Sequence, residues 1–186
     1  LQHAGVGIAH NPTSNLKLAS GFAPVARMME LGCNVGIGTD GSASNNDLDM
    51  FEEIRLANLI AKATTGDPTV LPARQTLQMA TILGAKALHM DELIGSLEPG
   101  KRADIILIDI SPVHNQPRFK REPDGIYAQI IYASKSTDVT DTMVNGKWLM
   151  RDRELLTIDE QQLLSESAVV AAKIDEFLKD REESVF

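Results

Sequence analysis

Short apolar runs alternate with stretches of helical periodicity through the first half of the chain. Val6-Gly7-Ile8-Ala9-His10 reads as a strand closed by Asn11-Pro12, and a polar loop follows. Pro24 can open a helix carrying Val25, Met28, Met29 and Leu31, with Gly32 as its stop. Asn34 to Asp40 is the next strand. Asn46 or Asp47 can cap a helix on which Leu48, Phe51, Ile54, Ala57 and Ala61 recur at helical spacing, ended by Gly66-Asp67-Pro68. A further helix spans about Ala73 to Leu88. Strands separated by helices predict an α/β fold whose parallel strands are joined by right-handed crossovers.

The second half has a different pattern. Glu98-Pro99-Gly100-Lys101 is a turn signal, followed by the β-branched run Ala103 to Asp109. Ile130-Ile131-Tyr132-Ala133 reads as a strand. Val139–Val144 and Lys147–Met150 flank Asn145-Gly146, a strong hairpin signal, so this part is an antiparallel module. From about Thr157, the residues Leu163, Val170, Ile174, Phe177 and Leu178 form the apolar face of a terminal helix.

Parity singles out one acid. In Asn34 to Asp40, Val35 and Ile37 share one face, while Gly36, Gly38 and Asp40 share the other. Bulky residues then pack outward on helices, and the glycines leave a hollow below Asp40. Glycine inside a strand marks close approach of something else, and a ligand or metal is one candidate. Asp40 thus stands where parallel-sheet enzymes place their chemistry, at the carboxyl end of a strand. An isolated strand-end Asp is more often a helix cap or a surface acid, and His10 before Asn11-Pro12 is more often a turn histidine than a ligand.

Composition narrows the function classes. A net charge of −8 lacks the basic footprint that phosphate backbones require, which argues against nucleic acid. The single cysteine, Cys33, excludes an internal disulfide and a multi-cysteine zinc site, and beside a strand it reads as a buried structural thiol. No apolar run approaches ~18 residues, so no membrane span is expected. With no basic segment leading into an apolar one, no secretion signal is read and a cytoplasmic setting follows by default. The chain starts at Leu1, and Leu1-Gln2-His3-Ala4-Gly5 reads as the end of a helix running into a strand, as if the chain began inside a fold.

His10-Asn11-Pro12-Thr13-Ser14-Asn15-Leu16-Lys17-Leu18 and Gly38-Thr39-Asp40-Gly41-Ser42-Ala43-Ser44-Asn45-Asn46 together resemble the amidohydrolase superfamily. The nearest branch in this likeness is the 5-methylthioadenosine/S-adenosylhomocysteine deaminases and their chlorohydrolase relatives. Ile94 to Asp104 is similar to the segment where such enzymes leave the barrel and enter a small β-sandwich.

The resemblance implies a (β/α)₈ TIM barrel holding one divalent metal, usually zinc. Its ligands are an HxH pair, a further His and an eighth-strand Asp. Asp40 matches that Asp, as metal ligand and catalytic proton shuttle. His10 matches a histidine of the seventh-strand loop that is not a ligand. With Asn15 and Ser44 it is placed in a substrate-binding or supporting role. The remaining histidines, His3, His89 and His114, supply no HxH; His89 is expected in a helix and His114 beside a proline-rich loop.

The chain therefore resembles the carboxy-terminal portion of such an enzyme. Residues 1–92 would be the last βα units of the barrel, 93–156 part of the sandwich and 157–186 the closing helix. The implied activity is hydrolysis of a C–N bond in a purine-type small molecule. The alternatives are a non-catalytic piece that needs a missing half, a chlorohydrolase, or a guanine or cytosine deaminase. A two-strand sheet with open edges predicts association with the missing portion or with further copies.

Overall fold

The computed structural model describes residues 2–118, 122 and 124–183, so Leu1 of the opening segment lies outside it. Strands β1 (Gly7–His10) and β2 (Asn34–Ile37) form a two-stranded parallel sheet, in register from Gly7 opposite Asn34 to His10 opposite Ile37. Helices α1 (Pro12–Lys17) and α2 (Val25–Glu30) make the crossover. Pro12 at the start of α1 turns part of the expected polar loop into helix, since its missing N–H costs nothing there. Pro24 is the N-cap of α2, and Gly32 ends the segment at φ +72°.

Beyond β2 come α3 (Ser42–Asn45) and α4 (Met50–Thr65). The cap of α4 is Asp49, in place of the expected Asn46 or Asp47. Its side chain accepts from the Phe51 and Glu52 amides. Leu48, expected on this helix, precedes it at φ 57°. Gly66 closes α4 in the left-handed conformation, as expected. The helix expected over Ala73 to Leu88 is two helices, α5 (Ala73–Met79) and α6 (Ile82–Ala87). The break is at Thr81, whose hydroxyl donates back to the Leu77 carbonyl at 2.9 Å, a local bond that competes with helix continuation. His89 falls past the end of α6, at φ 56°, and is not helical.

Val35 is fully buried with Val25, Ala61, Leu71 and Met79, and Ile8 and Ile37 pack against this core. That is the outward, helix-facing side which the parity predicts. On the opposite face, helix α6 approaches Gly36 and Gly7. A Cβ added at Gly36 would lie 2.8 Å from Gly84 Cα, and one at Gly7 would lie 1.8 Å from the Ala87 carbonyl oxygen. A cavity of about 880 Å³, mostly apolar, opens between this face, α6 and residues 94–97.

Strands β3 (Ile105–Ile108), β4 (Val139–Val144), β5 (Lys147–Arg151) and β6 (Glu154–Leu155) form an antiparallel sheet in that order. Asn145 and Gly146 both have positive φ, 50° and 76°, as a two-residue primed turn requires. The expected strand at Ile130–Ala133 is instead the end of a helix, α7 (Gly125–Tyr132). Short apolar runs are ambiguous in period, and tertiary packing decides this one. Ile131 is buried, the Tyr132 hydroxyl donates to Asn58 Oδ1 at 2.6 Å, and Arg55 Nε donates to the Ile131 carbonyl at 3.1 Å. Asn58 in turn donates to the Leu71 carbonyl at 2.6 Å and to the Thr76 hydroxyl at 2.9 Å, so α4 is fixed to both α5 and α7.

The terminal helix, α8, runs Glu160–Glu183, and its apolar residues Leu163, Val170, Ile174, Phe177 and Leu178 are exposed. Among the described residues no helix is long and apolar enough to cross a membrane.

Candidate active site

The chain leaves β2 at Ile37, three residues short of the strand end expected from sequence, and continues as a loop through Asp40. The Gly38 amide donates to the His10 carbonyl at 3.0 Å, which keeps the two strand exits side by side. Gly38 also admits the Asn11 side chain: a Cβ there would sit 2.6 Å from Asn11 Oδ1. Asp40 has φ 62°, in the left-handed region, which aspartate tolerates better than most residues.

Asp40 joins the two loops. Its Oδ2 accepts from the Ser14 hydroxyl and from the Ser44 hydroxyl, each at 2.7 Å. Ser14 stands on α1 and Ser44 on α3, so each motif contributes one donor. The Ser14 bond, then the Ser44 bond and the Gly41 amide, hold the Asp40 carboxyl below the ordinary carboxylate range, against a small opposing effect of desolvation. The side chain is exposed and ionised at neutral pH, and it does not cap α4, whose cap is Asp49.

A second carboxylate joins the same two segments. Glu53 on α4 is 1% exposed, its Oε2 accepting from the Thr13 amide at 3.1 Å and its Oε1 from Asn45 Nδ2 at 2.6 Å. Asn45 Oδ1 accepts from the Leu48 amide at 2.8 Å. At the rim, Lys17 Nζ donates to the Ala43 carbonyl at 3.0 Å and to Asn46 Oδ1 at 2.5 Å.

Of the residues singled out from sequence, Asp40 and Ser44 are in direct contact. His10 is buried at 5% exposure, in register with Ile37 on the face that carries Ile8 and Val35. Burial pushes its imidazole down to about 4, and its Nδ1 has no hydrogen-bond partner among the described residues. Asn15 is half-buried on α1. Its amide donates to the Asn11 carbonyl at 3.1 Å and its carbonyl accepts from Ser20, but its side chain joins none of the bonds around Asp40. His114 lies in a 3-10 turn (Val113–Asn115) and pairs with Asp138 at 2.8 Å, away from this site.

Ser14, Lys17 and Glu53 take part without having been singled out. Ser14 and Lys17 lie inside the first motif. For Glu53 the available signal is an acid one helical turn before Ala57, on the buried side of an amphipathic helix.

Among the described residues no group of three or more His, Cys, Asp or Glu side chains could hold a metal ion. Glu53 has both oxygens engaged inside the fold, which leaves Asp40 as a single carboxylate donor. These residues alone do not build a metal centre.

A family model described as the amidohydrolase family matches residues 1–149. The 5-methylthioadenosine/S-adenosylhomocysteine deaminase of Moorella thermoacetica is 51% identical over 161 residues, 87% of this chain and 36% of that protein. The 5′-deoxyadenosine deaminase of Methanosarcina acetivorans is 47% identical over 174 residues, 94% of this chain and 39% of that protein. The solved structure of an adenosine deaminase from Xanthomonas campestris with bound zinc superimposes with a TM-score of 0.88 at 42% identity, over 94% of this chain and 38% of its own. The chain thus spans less than half the length of each of these relatives.

Proposed function

The chain belongs to the amidohydrolase family, and from that membership we propose that it is the carboxy-terminal portion of a metal-dependent aminohydrolase acting on a 5′-modified, adenosine-like nucleoside. The observation that carries this reading is the Ser14–Asp40–Ser44 bracket. It unites the two motifs shared with the family around one ionised carboxylate. The names of the relatives above supply the substrate class.

In this reading residues 1–92 are the last βα units of a (β/α)₈ barrel, 93–156 belong to a small β-sandwich and 157–186 form the closing helix. The parallel β1–β2 pair, with no further strand on its edges among the described residues, and the antiparallel β3–β6 sheet support that division. The apolar cavity beside Gly36 supports it too, since it offers a surface for further barrel elements to cover.

Among the described residues Asp40 is the one that would hold a divalent metal, and the other donors would come from further parts of the full-length protein. When bound, such a metal would supply a water acidic enough to serve as nucleophile near neutral pH. Asp40 can hold and move a proton because one oxygen is anchored. Oδ2 is fixed by the two serines, while no side chain among the described residues engages Oδ1. In that role the Asp40 carboxylate would take a proton from the attacking water and return it to the departing amino group. His10 supports the β1–α1 loop from the buried side, and Asn15 lies next to Ser14 on α1, where substrate would meet the loop.

The test is a substrate panel on the full-length protein that contains this chain. Ammonia release from 5′-deoxyadenosine, 5-methylthioadenosine or S-adenosylhomocysteine is expected to exceed turnover of guanine, cytosine and chlorotriazines by at least about 100-fold in kcat/KM. Preference for a chlorotriazine or for guanine would overturn the substrate class.

A further inference from the structure

Two carboxylates, not one, tie the start of α1 to the segment after β2, and the residues they hold are neighbours in sequence. Asp40 accepts from Ser14 and Ser44, while Glu53 accepts from Thr13 and Asn45. The two bridges therefore engage adjacent residues of the same two helices, one exposed and one buried. We infer that Glu53 is a positioning residue, whose buried carboxylate fixes the spacing of Ser14 and Ser44 about Asp40. Its consequence for turnover rests on the reading of Asp40 given above.

A nearly fully buried carboxylate is costly unless its oxygens are satisfied, and no Lys, Arg or His pairs with Glu53 among the described residues. What offsets that cost is the pair of donors from α1 and α3, together with a place in the first turn of α4, where the helix dipole favours negative charge. The geometry is directional. Asn45 Oδ1 is committed to the Leu48 amide, so Nδ2 must face Glu53, and only an acceptor suits the far side. Thr13 likewise presents an amide N–H. A glutamine at 53 could accept from one of these donors but would turn its own NH₂ toward the other. The segment so held is conformationally unusual, with Asn46 at φ 82° and Leu48 at φ 57°, and so depends on such anchors.

The same geometry supplies a rescue. In Glu53→Gln combined with Asn45→Asp, the new amide donates to the new carboxylate. The polarity of the bond is reversed, while both the Thr13 and Leu48 amides keep their acceptors.

The experiment combines crystal structures and steady-state kinetics of the full-length protein and its variants. In Glu53→Gln at least one of the Ser14–Asp40 and Ser44–Asp40 contacts is expected to open beyond hydrogen-bonding range. kcat should fall about 10- to 100-fold, the scale of a modest misplacement of a reacting group, with KM unchanged within about twofold. Glu53→Gln/Asn45→Asp should restore both contacts and turnover, whereas Asn45→Asp alone, which sets two carboxylates face to face, should not. If Glu53→Gln fails to fold, Asn45→Ala decides the matter: it removes one arm and should free Ser44 while leaving Ser14 on Asp40. Intact serine contacts in these variants, or a loss of turnover that only follows the folded fraction, would overturn the role of Glu53. A wild-type protein that deaminates no nucleoside would instead refute the functional reading, and the serine contacts would still decide the positioning role.

Discussion

The Ser14 hydroxyl reaches Asp40 Oδ2 at 2.7 Å across 26 positions of sequence, and this contact joins the end of the first strand–loop unit to the end of the second. With Ser44 on the same oxygen, Asp40 is oriented by one donor from each motif. An exposed carboxylate would otherwise titrate in the ordinary range. Ser14, Ser44 and the Gly41 amide lower it.

Replacing both serines, Ser14→Ala/Ser44→Ala, should therefore move the Asp40 titration up toward the ordinary carboxylate value, as read by carboxyl carbon shifts across an acid titration. The sign follows from linkage. A depressed native pKa stabilises the fold above the unfolded value and ceases to do so as pH falls through the native one. An unchanged titration would show that the two hydroxyls do not set the state of Asp40.

His10 makes an acid-lability prediction. Its imidazole is held at about 4 in the fold against 6.5 as the reference value, so the unfolded chain binds more protons between those limits. Stability should decline as pH falls from 6.5 toward 4, by as much as about 3 kcal/mol from this one group. Urea unfolding at both ends of that window should show a smaller pH dependence in His10→Phe than in wild type. Equal dependence would place the imidazole in a solvated site.

Helix α6 lies directly against the strand glycines, which orders the cost of filling them. Gly36→Ala should destabilise the fold by about 1–3 kcal/mol, and Gly7→Ala by more, because its Cβ would meet a backbone carbonyl and not a Cα alone. Thermal melts of the two variants check the ranking. A Gly7→Ala protein as stable as wild type would contradict the packing of α6.

These particulars also show what a sequence can reveal. The helix stops at Gly32 and Gly66 and the Asn145-Gly146 hairpin were legible because each is decided within a few residues of chain, whereas Asp40, expected at a strand end, lies three residues beyond it in a loop and is oriented by Ser14 from far away in sequence. The helix at Ile130–Ile131 was not, since what selects it is contact with Arg55 and Asn58 far away in sequence. The break at Thr81 depends on one hydroxyl choosing a backbone carbonyl. Ser14 and Glu53 were missed for the same reason as α7: their partners are brought close only by the fold. The glycine parity was read correctly as a sign of close approach, but periodicity could not say that the visitor is a helix.

The 186-residue chain by itself should purify without stoichiometric zinc, because a lone carboxylate cannot offset dehydration of the ion and a structural or catalytic site needs three or four protein donors. Elemental analysis checks this. One tightly held metal per isolated chain would mean that ligands other than Asp40 complete a centre within it.

The central claim is that Asp40 carries the proton in deamination. It is tested most directly by comparing the full-length protein with its Asp40→Asn variant in an ammonia-release assay on 5′-deoxyadenosine. Asparagine keeps the shape and an acceptor for Ser14 but cannot take up a proton. A folded variant is expected whose kcat is lower by about 10³-fold or more; turnover within about tenfold of wild type would show that Asp40 does not carry the proton.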